Sequence, residues 1–135
     1  MKSAVLPLLA VAGLLSACTG EPADPWTAQA SFAGAAQPGV STLIATHATV
    51  GADCAIGEPP ALEVVTQGTL GAITTGPATQ AIVAPDQECD GQEAAATGVF
   101  YQAPAGATGV DTVVYRELRA PAAPDVIHTG SIRVR

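Results

Sequence analysis

Glycine and proline recur too often in this chain for long helices to form. Fourteen glycines and eleven prolines are spread through its 135 residues. No segment of ten or more residues repeats apolar side chains at helical spacing. Between the breaks lie short runs rich in threonine, valine and isoleucine, which suit a pleated, half-buried surface. The runs predict strands over Trp26–Phe32, Ser41–Val50, Leu62–Thr66, Thr69–Thr74, Gln80–Ala84, Val99–Gln102, Asp111–Leu118 and Val126–Val134. Turns are expected at Gln37-Pro38-Gly39, Gly57–Pro60 and Gly76-Pro77, with a tight hairpin at Gln67-Gly68 and an acidic loop over Pro85–Gly98. Short strands at regular intervals predict an antiparallel β-sandwich or barrel.

The core of such a domain is thin. The chain has one tryptophan, two tyrosines and two phenylalanines, so alanine and valine must fill most of the interior. A cross-link would matter more than in a domain with a heavier core. Five basic residues stand against twelve acidic ones, and the single lysine is Lys2. The remaining cations are Arg116, Arg119, Arg133 and Arg135. A surface this acidic repels phosphate backbones, which argues against nucleic acid as a partner.

The N-terminus carries an address. Lys2 precedes an apolar run, Ala4–Leu14, that is well short of the ~20 residues needed to cross a bilayer. Leu15-Ser16-Ala17-Cys18 then resembles the bacterial lipobox, in which a cysteine follows two small residues, is acylated and becomes the mature N-terminus. The competing reading is an ordinary cleaved signal that happens to contain a cysteine. The resemblance implies residues 1–17 as signal peptide, a lipidated tether over 18–25, and one domain over 26–135. It implies a bacterial envelope location reached through the acyl chains on Cys18, with the outer membrane favoured where there is one.

In that oxidising setting, two thiols remain, Cys54 and Cys89, and their simplest fate is a disulfide. A metal or redox pair would ask for Cys-x-x-Cys spacing or an adjacent histidine, and the chain has neither there. Closing this loop stabilises a fold by about 3–4 kcal/mol in the chain-entropy treatment.

One segment goes further than periodicity. Tyr101, Pro104, Gly106, Gly109, Asp111 and Tyr115 fall in an order that resembles bacterial immunoglobulin-like and cadherin-like domains. In those, Tyr-x-Pro leads through glycines to an aspartate and a strand ending in tyrosine. Val64–Ile73 is similar to the hairpin that precedes this signature. Ala107 and Val113 stand where the family has aromatics, and one extra residue separates Tyr101 from Pro104. The resemblance implies an Ig-like sandwich, a corner in which Asp111 accepts backbone N–H groups, and Val113 and Tyr115 in the core.

Several patterns bear on chemistry. Asp86, Glu88 and Asp90 alternate ahead of Gly91, a spacing that suits a weak calcium loop or simply a solvated acidic turn. His47 is expected on the exposed face of its strand, with Ile44, Ala48 and Val50 on the other. Strict alternation would aim His128 inward, while a bulge at Gly130 would turn it out, and the bulge is the preferred reading. Ser41 and Ser131 lack the turn that exposes a nucleophile. No catalytic residue, cofactor or metal is therefore expected. The chain reads as a non-enzymatic structural or protein-interaction module with an envelope protein as partner, using Val126–Arg135 as a recruiting edge. A carbohydrate-binding or weakly calcium-dependent module is the alternative, and a small hydrolase comes third.

Overall fold

A computed structural model describes residues 27–135; the expected signal peptide, Cys18, the expected tether and Trp26 lie outside the described residues. Seven strands form: β1 (Thr27–Ala36), β2 (Thr42–His47), β3 (Ala61–Thr66), β4 (Ala72–Ala81), β5 (Glu93–Gln102), β6 (Gly109–Leu118) and β7 (Asp125–Val134). They make two sheets, one ordered β1-β7-β6-β3 and the other β2-β5-β4. Tyr101, Val99 and Ile73 from the smaller sheet meet Tyr115, Val113, Ile132, Val134 and Ala36 from the larger in one buried core. The all-β sandwich expected from the strand pattern is the fold observed, although its pairing is not antiparallel throughout. β1 runs parallel to β7 from Thr27↔Asp125 to Ala36↔Val134.

Several strand boundaries differ from those expected: β1 runs on to Ala36, β2 stops at His47 and β5 starts at Glu93. Gly76-Pro77 does not end a strand, because β4 passes straight through it and pairs Pro77 with Thr97 of β5. β4 is an edge strand of its sheet, where a residue lacking an N–H is tolerated. The two strands expected over Thr69–Thr74 and Gln80–Ala84 therefore merge into the one ten-residue strand β4. Its partner β5 starts at Glu93, which shortens the acidic loop.

The expected hairpin at Gln67-Gly68 is instead a crossover. β3 and β4 belong to different sheets, and the chain between them is held by two side chains. Gln67 imitates a neighbouring strand: its amide oxygen accepts from the Ile73 N–H at 2.7 Å and its amide nitrogen donates to the Ile73 carbonyl at 3.0 Å. Asp111 accepts from the N–H groups of Thr69, Leu70 and Gly71 at 2.8, 3.1 and 3.0 Å. A side chain at residue 68 would collide with that carboxylate, so glycine there is a condition of the close approach.

Cys54 and Cys89 are bonded, with Cα atoms 5.9 Å apart. They cover a second, smaller apolar cluster of Ile82, Cys89 and Ala94, with Ala48, Cys54 and Ala84 packed against it. The bridge thus closes over apolar surface of its own, as a thin core requires.

Candidate functional site

β6 connects the two ends of the sandwich through its inward-facing side chains. Asp111, Val113 and Tyr115 are buried on alternate positions, and Glu117 continues the same face to the far end. Val113 and Tyr115 therefore sit in the core as the motif implied, and each end of β6 carries a carboxylate with its own surroundings.

The Asp111 end is closed. Its carboxylate is 1 % exposed and also accepts from the Tyr101 hydroxyl at 2.7 Å and the Thr112 N–H at 3.0 Å. Burial alone would raise its pKa. The Tyr101 and backbone hydrogen bonds outweigh that and hold the carboxyl below the usual range. Desolvation, together with the hydrogen bond and charge of Asp111, pushes the Tyr101 hydroxyl far above its ordinary pKa. The Asp111 carboxylate is filled by donors that tie the crossover and the facing strand β5 to β6, a structural role.

The Glu117 end is open. Three strands bring His47, Glu117 and His128 together, each with a side chain 14 % exposed. His128 Nε2 lies 2.9 Å from Glu117 Oε2, and His47 Nδ1 lies 3.4 Å from the same oxygen. His47 Nε2 is 2.8 Å from the Tyr115 hydroxyl. Tyr115 also stacks on His128 with ring centroids 4.9 Å apart and meets His47 edge-on at 5.5 Å. Arg119 Nε approaches the other Glu117 oxygen at 3.8 Å, which leaves Oε2 to the histidines. Glu117 also forms part of the wall of a cavity of about 320 Å³, lined further by Thr49, Glu58, Pro60 and Ala123.

Two local features make this cluster, and neither is where sequence reasoning placed it. β2 carries a bulge between Leu43 and Ala45, so that Ala45 pairs with Val99 and His47 with Thr97. The extra residue reverses the alternation beyond it, and His47 faces inward rather than to solvent. β7 has no bulge at Gly130: its registers with β1 and β6 run unbroken, so strict alternation aims His128 inward. Gly130 instead makes room for Phe32, whose ring any side chain there would strike.

Electrostatics follow from the packing. Burial lowers the His47 pKa, Glu117 draws it up and His128 pushes it down, with a net shift below the ordinary imidazole value. The shift favours the neutral imidazole. Burial and the Glu117 charge raise the Tyr115 hydroxyl well above its usual pKa, keeping it protonated and able both to donate and to accept.

The remaining sequence candidates are not drawn together. Among the described residues, His47, Glu117 and His128 are the one group of three or more metal-ligating side chains that converges. Asp86, Glu88 and Asp90 do not, and Asp90 accepts from the Ala84 N–H at 2.9 Å within its own loop. Tyr101 and Tyr115 are buried, and Phe32 and Phe100 are half-buried, so the described aromatics offer no exposed platform for a sugar. Ser131 is exposed on the face of β7 opposite His128. β7 is flanked by β1 and β6, so Val126–Arg135 has no free edge to recruit a strand. No helix among the described residues is long and apolar enough to cross a membrane. Glu117 was missed altogether, although its position two residues after Tyr115 was a legible signal that it shared the inward face.

No family model, no curated protein and no solved structure matches this chain.

Proposed function

We propose that this chain is a lipid-anchored protein of the bacterial envelope whose Ig-like sandwich is a non-enzymatic binding module. The order β1-β7-β6-β3 against β2-β5-β4, together with the aspartate pin of the Tyr101–Tyr115 segment, supports the Ig-like reading. One observation carries the function: of the two inward-facing carboxylates of β6, Asp111 is buried and fully engaged, whereas Glu117 lines a cavity. Binding therefore belongs at the His47–Glu117–His128 end. Ser131 stands on the opposite face of β7 from His128, which supports a module that holds a partner rather than one that cleaves it.

The test is a photo-crosslinking residue at Ala123, in the wall of the open end, compared with one at Ala105, beside the sealed end. In cells making the full chain, Ala123 should capture an envelope component and Ala105 should not. Capture from Ala105 alone, from both equally, or from neither would refute the reading.

A further inference from the structure

We propose that His47, Glu117 and His128 form a binding site for a divalent first-row transition cation of the zinc type. His47 Nδ1, Glu117 Oε2 and His128 Nε2 are the donor atoms, and Tyr115 positions His47. The proposal shares with the binding-module reading only the choice of the open end. A cation bound by the purified chain neither requires nor excludes a captured partner.

The donor set suits this ion. Two imidazoles and one carboxylate match the preference of zinc-type cations, whereas calcium and magnesium ask for six or more oxygens. All three donor atoms lie within 4.8 Å of one another. Ligands about 2.0–2.1 Å from a tetrahedral centre stand roughly 3.3 Å apart. The measured separations from Glu117 Oε2, 2.9 and 3.4 Å, fall on either side of that value. Those two edges need shifts of only a few tenths of an ångström, and the third, between the two imidazole nitrogens, lies within 4.8 Å and closes by rotation of the rings. The three donors come from β2, β6 and β7 of two facing sheets, whose packing preorganises them. Three protein ligands leave a tetrahedral ion one open position, and one of the three, Glu117, also lines a cavity.

Tyr115 gives the site a second distinguishing property. A metal-bound histidine ordinarily donates its other ring N–H to a fixed acceptor, and the Tyr115 hydroxyl lies 2.8 Å from His47 Nε2. The Tyr115 hydroxyl can donate to His47 Nε2 or accept from it, whichever tautomer the ring adopts. With a cation on Nδ1, the ring proton must stand on Nε2, and the Tyr115 hydroxyl is placed to accept it. A hydroxyl serves both states, and phenylalanine would serve neither.

The full chain, purified in detergent and freed of metal by chelation, is titrated with Zn²⁺ and with Co²⁺ as a spectroscopic probe. One equivalent should bind, with the visible bands of low-coordinate Co²⁺. Imidazole ¹⁵N spectra should show His47 coordinated through Nδ1 and His128 through Nε2. His47→Gln, Glu117→Gln and His128→Gln should each weaken binding at least tenfold, and Tyr115→Phe by about tenfold. Asp86→Asn and Asp90→Asn should change nothing. Absence of a stoichiometric Co²⁺ complex overturns the site, as does binding that survives all three ligand substitutions or is lost equally in Asp90→Asn. If a ligand variant fails to fold, the wild-type imidazole spectra decide: zinc that leaves both rings unshifted refutes the site.

Discussion

The Tyr101 hydroxyl donates to Asp111 Oδ2 at 2.7 Å across the closed end of the sandwich, ten residues along the chain from the carboxylate it meets. Those two side chains come from facing sheets, β5 and β6. Their bond therefore joins the layers, while three N–H groups of the β3–β4 crossover share the same carboxylate. A buried charge with no cation beside it is stable only because its lone pairs are filled this way.

Removing that charge should be costly. Asp111→Asn substitutes a donor for one acceptor oxygen, so at least one crossover N–H loses its partner. A loss of about 3 kcal/mol is expected from charge-assisted hydrogen bonds of this kind. Tyr101→Phe, which removes one donor, should cost about 1–2 kcal/mol. Urea unfolding of the two variants checks the order, and Tyr101→Phe more damaging than Asp111→Asn would contradict it.

The same group sets an acid limit. The Asp111 pKa is lowered in the fold, so the unfolded chain binds this proton more readily than the folded one. Its stabilisation is present above the ordinary carboxylate pKa of 3.8 and is lost as pH falls through the folded value. Thermal midpoints of the wild type should therefore drop below about pH 4, and Asp111→Asn should flatten that part of the curve. An acid limb of unchanged steepness in Asp111→Asn would assign the effect to other carboxylates.

Gly130 gives a packing prediction. Gly130→Val would drive a branched side chain into the Phe32 ring, with a cost of about 1–3 kcal/mol or more. Phe32→Ala on the same background should recover part of that loss by clearing the space. A double variant as unstable as the sum of the two single ones would show that the two residues do not share this volume.

The disulfide joins residues 35 apart. Replacing Cys54 and Cys89 together by serine should destabilise the chain by about 3–4 kcal/mol through the entropy of the opened loop, and should loosen the cluster around Ile82 and Ala94. Hydrogen exchange across Ala81–Ala95 reads the local effect. Unchanged protection there, despite a lower midpoint, would confine the role of the bridge to the unfolded state.

The N-terminal expectation has its own test. Cys18→Ser should leave an unprocessed or soluble chain, and the mature wild type should carry acyl mass on Cys18. A mature protein starting elsewhere without lipid would remove the anchor from the proposed function.

Local pattern was enough for much of this domain. Frequent glycine and proline excluded long helices, and threonine-rich and valine-rich runs marked strands. Two unmatched thiols led to the bridge, and the resemblance of the Tyr101–Tyr115 segment led to an aspartate accepting backbone N–H groups and to Val113 and Tyr115 in the core. These features are written in spacing along the chain, because side chains alternate on a strand and turns need particular residues. The candidate site depended on register instead. A bulge at Leu43–Ala45 turned His47 inward, the absence of one at Gly130 kept His128 there, and β6 carried Glu117 between them. One inserted residue reverses every side chain beyond it. Whether a strand accepts that insertion is decided by its partners across the sheet, which only the tertiary structure supplies.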